Sequence, residues 1–239
     1  MANPVFVAID TTDLAEAKAR AKQLAGAVGG IKLGLEFFIA QGPEGIRAVL
    51  QESPGLPLFL DLKLHDIPNT VAGGVRSASA LKPRYLTIHT AGGAAMLRAA
   101  ADEAAKFGVA RPKLLGVTVL TSLSSDDLVE VGFAKRAMGD QVEAMARLAK
   151  ANGLDGVICS PHEVATLRRA MGPDFVLMVP GVRPSWAGAD DQKRVMTPAE
   201  AMRAGATHLV IGRPILKAAD PAEAARRIAQ EIAGAPAAA

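Results

Sequence analysis

Residues 58–70 have the sequence LFLDLKLHDIPNT. The first seven alternate with a period of two, which is the period of a β-strand. The leucines at positions 60, 62 and 64 form one apolar face, and Phe59, Asp61 and Lys63 share the opposite face. Pro68 follows soon after and suits the first turn of a helix. The stretch therefore predicts a strand whose inner face ends in two charges, followed directly by a helix.

Similar apolar runs recur along the chain and alternate with longer, alanine-rich amphipathic stretches. Strands that alternate with helices pair in parallel through right-handed crossovers. Eight such units in 239 residues predict an α/β protein, a single-domain (β/α)8 TIM barrel, because such barrels typically need about 250 residues. The predicted strands are Val5–Ile9, Ile31–Gly34, Leu58–Leu64, Tyr85–His89, Leu114–Leu120, Gly156–Cys159, Phe175–Val179 and Leu209–Ile211. The predicted helices are Leu14–Ala27, Gly45–Gln51, Val71–Leu81, Ala94–Phe107, Gln141–Ala151, His162–Met171, Thr197–Ala204 and Ala222–Ile232.

Composition is consistent with one domain over residues 1–239, of which 235–239 are expected to form a frayed tail. Half of the residues are hydrophobic, and the net charge of +3 is not gathered in a basic run, so we expect no nucleic-acid partner. The N-terminus lacks a signal-peptide pattern, and no apolar stretch reaches the roughly 18 residues of a membrane span. A cytoplasmic protein without a membrane partner is expected.

The cysteine and histidine content argues against a disulfide and against a metal site. The one cysteine, Cys159, excludes an internal disulfide and is expected to be a small buried hydrophobic residue. The four histidines do not have the spacing of a metal site. His65 and His89 follow predicted strands and are candidates for supporting groups around a site.

Charged residues stand where a barrel interior should be apolar. Alternate residues of a barrel strand point inward, and catalytic groups lie at the carboxyl ends of the strands. Asp10 ends the first strand, Lys32 points inward from the second, and Asp61 and Lys63 point inward from the third. Buried charges are costly unless they are paired. We therefore expect two lysines and two aspartates to converge on the barrel mouth, although a purely structural ion-pair network is the alternative.

Two arginines follow the last two predicted strands. Arg183 follows the seventh and Arg213 the eighth, which is where barrel enzymes often bind phosphate. Gly212 would let the backbone approach a ligand, and Pro214 favours a helix whose N-terminus could face an anion. The irregular segment 180–194 is expected to close over the ligand as a lid.

The ordered motifs of the chain resemble those of the orotidine 5′-phosphate decarboxylase family. Residues 61–70, with the sequence DLKLHDIPNT, match the family signature. The resemblance continues over nearly the whole chain, at residues 7–10, 31–34, 89–93, 117–122, 180–183, 190–192 and 211–215.

The resemblance implies decarboxylation of orotidine 5′-phosphate to uridine 5′-phosphate (UMP), without metal or cofactor. Lys63 matches the lysine that protonates C6 after carbon dioxide leaves. Together with Lys32, Asp61 and Asp66 it matches an alternating charge network. Asp66 and Thr70 match residues that reach the neighbouring active site, which implies a homodimer. From the residues alone, Asp66 is also placed to help cap the following helix.

The resemblance also implies a set of substrate-binding residues. Asp10 and Lys32 match ribose-binding groups, and Thr121 and Ser122 match the segment that reads the pyrimidine. The phosphate binders would be Arg183, Gln192, Gly212 and Arg213. The remaining implied contacts are Asp61, Ile67, Thr70 and Pro180.

This chemistry explains why a charged lysine is needed. The C6 carbanion has its lone pair in the ring plane, so the site must stabilise it electrostatically. Carboxylates beside Lys63 favour its charged form. Two alternatives stay open. Magnesium-dependent sugar-phosphate enzymes of the same superfamily have a glutamate where this chain has Lys32, and a non-catalytic phosphate-binding barrel would not need the charge cluster.

Overall fold

The computed structural model describes residues 3–187 and 196–234. Within these residues, eight parallel strands close into a barrel in sequence order, and the last strand pairs with the first. The (β/α)8 prediction is therefore confirmed. The strands are β1 (Val5–Ala8), β2 (Gly30–Gly34), β3 (Leu58–Leu64), β4 (Tyr85–His89), β5 (Lys113–Val117), β6 (Gly156–Ile158), β7 (Val176–Pro180) and β8 (His208–Ile211).

Helices surround the barrel. They are α1 (Leu14–Leu24), α2 (Leu35–Glu52), α3 (Pro68–Ser79), α4 (Gly93–Ala105), α5 (Ser125–Glu130), α6 (Met138–Ala151), α7 (Val164–Met171), α8 (Pro198–Arg203), α9 (Arg213–Leu216) and α10 (Pro221–Ala233). Short 3-10 helices occupy Thr90–Gly92, Gly108–Ala110 and Pro161–Glu163. In the described ranges, no helix has both the length and the apolar character that a membrane crossing would require.

Most element boundaries differ from the sequence prediction by a few residues, and four elements need comment. Helix α2 starts directly after β2, ten residues before the predicted start. Gly42, with φ 61°, interrupts the helix, and Pro43 follows it. This kink breaks the periodicity that would have revealed the first half. The short helices α5 and α9 were not among the predicted helical stretches, and β5 ends at Val117 rather than at Leu120.

Two apolar layers hold the fold together. The larger layer lies between the strands and the helices, and Leu60 belongs to it. The smaller layer fills the inside of the barrel, where Phe6, Phe59 and Tyr85 pack edge to face with ring centroids 5.5–6.3 Å apart. These rings stand near the amino ends of their strands, so the apolar filling closes that end of the barrel. The carboxyl end is left for polar side chains.

Candidate active site

The carboxyl end of β3 leaves the regular ladder. Leu60 pairs with Leu86 of β4, but the next pairing joins Leu64 to Ile88, so β3 carries two extra residues. Lys63 lies in this irregular stretch with φ 49°, a left-handed conformation that is uncommon for a side-chain-bearing residue. The Lys63 backbone N–H donates to the hydroxyl oxygen of Thr87, 2.9 Å away. A side chain of β4 thus takes the place of a backbone partner, and this bulge was not predicted.

The predicted charge cluster is present at the barrel mouth. The Lys63 ammonium lies 2.8 Å from the Asp61 carboxylate. The Lys32 ammonium lies 3.0 Å from Asp10 and 3.8 Å from Asp61. The side chains of Lys32 and Asp61 are only 12% and 13% exposed, whereas that of Asp10 is 61% exposed. Asp61 therefore serves as the shared, nearly buried counterion of two lysines from neighbouring strands.

Two residues of the cluster were missed by sequence reasoning. Thr87 is fully buried and donates its hydroxyl to Asp61 Oδ1 at 2.9 Å. Gly34 leaves space for Lys32, because a Cβ at position 34 would lie 3.2 Å from the Lys32 ammonium nitrogen. A signal for Thr87 exists in the sequence, since the alternation in β4 places a polar side chain on the inward face beside β3.

Two histidines border the cluster. The rings of His65 and His89 stack, with centroids 5.3 Å apart and planes inclined by 29°. Burial lowers the pKa of His89, and the nearby His65 and Lys63 lower it further, against an opposing effect of Asp61. These effects favour the neutral form of His89.

The segment after β3 projects away from the barrel. Asp66, Ile67 and Thr70 are all exposed. The interpretation of Asp66 as a helix cap is wrong, because α3 has no side-chain cap hydrogen bond; Asp66 instead accepts the adjacent Ile67 N–H, at 2.6 Å. Thr70 lies in the first turn of α3. Among the described residues, no ion pair joins Asp66 to Lys63, so one chain alone does not assemble the four-residue network.

A cleft opens at the carboxyl ends of β5, β6 and β7. Its volume is about 400 Å³. Thr121 and Pro180, both predicted substrate contacts, line it together with Leu123, Met138 and Pro161. Ser122 lies in the same connection as Thr121 and is exposed. Thr121, which is expected to read the base, and Pro180 at the end of β7 thus share one cavity.

The two predicted phosphate-binding arginines follow adjacent strands. β7 and β8 pair through Pro180 and Val210, so the connections after them emerge side by side. Arg183 is only 8% exposed, which excludes the interpretation of a solvated surface charge, and Arg213 is exposed as the first residue of α9. Pro214 stands in the first turn of that helix, as predicted.

Two other residues were predicted for the phosphate site, Gly212 and Gln192. A Cβ at Gly212 would meet only Ala8, at an ordinary 3.5 Å, so the described part of the chain does not itself demand glycine there. Gln192, like residues 188–194 of the expected lid as a whole, lies outside the described residues.

Two further expectations concern metal and thiol chemistry. Within residues 3–187 and 196–234, no group of three or more His, Cys, Asp and Glu side chains is placed to hold a metal ion. Cys159 is buried, and burial raises the pKa of its thiol. Its role as a small buried hydrophobic residue is confirmed.

Comparison with known proteins gives a consistent result. A sequence model described as the orotidine 5′-phosphate decarboxylase / HUMPS family matches residues 3–228. Proteins named orotidine 5′-phosphate decarboxylase from Paramagnetospirillum magneticum and Rhodospirillum rubrum are 56% and 55% identical, over 97% of this chain and 99% and 95% of theirs. The crystal structure of orotidine 5′-phosphate decarboxylase from Lactobacillus acidophilus superposes with a TM-score of 0.85 at 37% identity, covering 96% of this chain and 99% of that one.

Proposed function

Because the chain belongs to the orotidine 5′-phosphate decarboxylase / HUMPS family, we propose that it converts orotidine 5′-phosphate to UMP with Lys63 as the proton donor. Decarboxylation is the activity named for relatives that are more than half identical over almost the full chain. The observation that carries the mechanism is the Lys63 ammonium held 2.8 Å from a nearly buried Asp61 carboxylate.

The reaction needs a positive charge at one carbon atom. Loss of carbon dioxide leaves the electron pair of the broken bond on C6, and this pair cannot delocalise into the ring carbonyls. An ammonium held in advance beside C6 stabilises that charge without reorganisation and then transfers a proton to the carbon. The Asp61 carboxylate forms an ion pair with this ammonium and holds it at the barrel mouth.

The other side chains around the mouth suit the remaining parts of the nucleotide. Lys32 and Asp10 form an ion pair at the rim and are proposed to bind the ribose hydroxyls. The cleft lined by Thr121 and Pro180 is proposed to receive the pyrimidine, with Ser122 beside it. The phosphate is assigned to Arg183 and Arg213, together with Gly212 and, from the sequence alone, Gln192. This division places the anionic phosphate on arginines, which bind it bidentately.

A second copy of the chain is proposed to complete the site. Asp66 and Thr70 are exposed beside the charge cluster, where a partner could accept them. Two large apolar side chains nearby are exposed, Ile67 by 66% and Ile39 by 80%. Leu35, one helical turn before Ile39, is 45% exposed. Apolar side chains clustered at one end of a barrel favour burial against another protein surface, and a homodimer buries them while exchanging Asp66.

The magnesium-dependent sugar-phosphate enzymes remain the other class to test. Lys32 stands between Asp10 and Asp61 and already pairs with both carboxylates, so a divalent cation would have to compete with an ammonium. We therefore propose a reaction that needs no metal or cofactor, in a cytoplasmic enzyme. A non-catalytic phosphate-binding barrel would not require the costly pairing of Asp61 and Lys63.

The test is a direct assay. Purified protein in excess EDTA is given orotidine 5′-phosphate, and the fall in its near-ultraviolet absorbance is followed. We expect full activity with EDTA and no stimulation by magnesium. Absence of turnover, or turnover only after magnesium is added, would reject the proposal.

The role of Lys63 is tested by Lys63→Ala. The variant should fold but lose at least about 10³-fold in kcat, the combined scale of losing a proton donor and an electrostatic stabiliser. Lys22→Ala is the matched control, because Lys22 is exposed on α1 away from the mouth. A folded Lys63→Ala enzyme with ordinary kcat would remove the lysine from the mechanism.

A further inference from the structure

Thr87 of β4 is fully buried between the two central residues of the charge cluster. We infer that Thr87 is a positioning residue for the decarboxylation, in which one hydroxyl sets both the carboxylate of Asp61 and the backbone of Lys63. The inference rests on the proposed role of Lys63 and extends it to a residue that touches neither substrate nor reacting atoms.

The Thr87 hydroxyl donates one hydrogen bond to Asp61 and accepts one from Lys63. Its hydrogen goes to Asp61 Oδ1 at 2.9 Å, and its oxygen accepts the Lys63 backbone N–H, also at 2.9 Å. The other carboxylate oxygen, Oδ2, is then left to face the Lys63 ammonium at 2.8 Å. A rotation of the carboxylate would break the bond to Thr87, so the hydroxyl selects the orientation in which Asp61 meets Lys63.

The same hydroxyl supports the irregular backbone of β3. Between Leu60 and Leu64 the strand has two more residues than its partner, which leaves the Lys63 amide outside the backbone ladder. An amide buried without a partner is costly. Thr87 accepts this N–H at the residue with φ 49°, and the conformation of Lys63 decides where its ammonium stands.

Water cannot take over this function in the native packing, because Thr87 has no exposed surface. Valine has nearly the shape of threonine but neither donates nor accepts a hydrogen bond. Thr87→Val should therefore release Asp61 and the Lys63 amide without leaving a hole. Since hydrogen bonds to charged groups are the stronger ones, we expect kcat to fall by about 10- to 100-fold.

The pattern of kinetic constants separates positioning from general damage. The ribose, base and phosphate contacts do not involve Thr87, so KM for orotidine 5′-phosphate and the affinity for UMP should stay within about threefold of wild type if only the reacting centre is disturbed. Thr87→Ser restores a hydroxyl at the same place and should recover most of kcat.

A matched control exists at the opposite end of the barrel. The Thr207 hydroxyl also accepts and donates at the same time: it accepts the Leu177 backbone N–H at 3.0 Å and donates to the Leu177 carbonyl oxygen at 2.9 Å. Thr207→Val should lower the unfolding midpoint in urea but leave kcat unchanged, because it removes equivalent bonds far from the mouth.

The decisive experiment measures kcat, KM, UMP affinity and the urea midpoint for wild type, Thr87→Val, Thr87→Ser and Thr207→Val. A loss of kcat in Thr87→Val, at unchanged KM and with recovery in Thr87→Ser, supports the inference. An unchanged kcat, a change confined to KM, or a Thr87→Ser enzyme as impaired as Thr87→Val overturns it.

Two further outcomes are also decisive. If Thr87→Val does not fold, Thr87→Ala and Thr87→Ser replace it: a kcat at least tenfold higher in the serine variant supports the inference, and equal values overturn it. Inactive wild-type protein would reject the proposed function itself, whereas active wild type with an equally active Thr87→Val rejects only the role of Thr87.

Discussion

The Lys63 ammonium contacts the Asp61 carboxylate at 2.8 Å, although only Leu62 separates the two residues within β3. Side chains two positions apart lie on the same face of a strand, but in a regular strand they point in parallel and do not contact each other directly. Here the left-handed backbone of Lys63, with φ 49°, accompanies the contact. The reacting charge and its counterion are thus part of a single strand end, and small shifts of that end should be visible in the kinetics.

The space beside Lys32 offers a first prediction. A methyl group at Gly34 would stand 3.2 Å from the Lys32 ammonium nitrogen, closer than ordinary contact, so Gly34→Ala should push the ammonium away from Asp10. We expect kcat/KM for orotidine 5′-phosphate to fall by about 10-fold, below the roughly 100-fold that a displacement of 1 Å can cost.

The control for this change is Gly139→Ala in α6, where an added Cβ meets no atom within 4 Å. Both variants should keep the urea midpoint of wild type. A Gly34→Ala enzyme with the kinetics of Gly139→Ala would show that the position of Lys32 does not limit the reaction.

The proposed phosphate contact is tested with two substrates. Arg213→Ala should lower kcat/KM for orotidine 5′-phosphate by about 10- to 100-fold, the scale of a lost hydrogen bond to a charged group. With orotidine, which has no phosphate, the loss should not exceed about twofold if Arg213 contacts only that group. Arg226→Ala on the outside of α10 serves as the arginine control. Equal losses with both substrates would contradict the assignment of Arg213.

The proposed exchange of Asp66 between subunits predicts complementation. Lys63→Ala and Asp66→Asn should each be nearly inactive, but refolding a mixture of them should restore activity. If each site combines Lys63 of one chain with Asp66 of the other, about a quarter of the sites in a random mixture are intact. Activity is measured by absorbance after denaturation and joint refolding.

A mixture of Lys63→Ala with Asp61→Asn is the control, because the ion pair between these residues lies within one chain. That mixture should stay inactive. If the mixture containing Asp66→Asn also stays inactive while both variants form dimers, Asp66 serves the site of its own chain.

The amino end of the barrel predicts a dependence of stability on pH. His208 starts β8, and its Nε2 lies 3.2 Å from the Tyr85 hydroxyl. Burial, aided by the charges of Arg84 and Lys113, lowers the pKa of His208 from 6.5 to about 4. In the neutral form, the Tyr85 hydroxyl can donate to Nε2, and protonation of the ring removes that acceptor.

The sign of the effect follows from this depressed pKa. Between pH 6.5 and about 4 the unfolded chain binds a proton on this ring that the folded chain does not, so the free energy of unfolding falls as the pH falls. The full shift is worth on the order of 3 kcal/mol. Urea midpoints at fixed protein concentration should therefore depend less on pH in this window in His208→Gln than in wild type. The exposed His162 provides the control variant, His162→Gln, which should keep the wild-type slope. An identical slope in His208→Gln would contradict the assignment.

Much of the architecture was predictable from local pattern. The alternation in residues 58–64 predicted both the strand and the inward direction of Asp61 and Lys63, because side-chain direction in a strand follows directly from its period of two. The eight alternating units predicted the barrel, and the barrel in turn predicted that Asp10, Lys32, Asp61 and Lys63 meet. These conclusions need only nearest-neighbour geometry and one topological rule.

The irregular features were not predictable in this way. The first half of α2 was missed because Gly42 and Pro43 break its period. The cap assigned to Asp66 was wrong because α3 starts after Ile67, without a side-chain cap. In both cases a local signal was overridden by the way the chain leaves one strand and enters the next helix.

Sequence pattern was enough to establish the barrel, the set of charges at its mouth and the resemblance to a decarboxylase family, since each depends on periodicity or on ordered motifs. Only the folded chain decided that Thr87 joins Asp61 to the Lys63 backbone and that Gly34 makes room for Lys32. Those relationships arise between different strands, where a register shift of two residues changes which atoms meet. The register of strands in a barrel depends on the packing of the whole barrel, and no single segment of the sequence sets it.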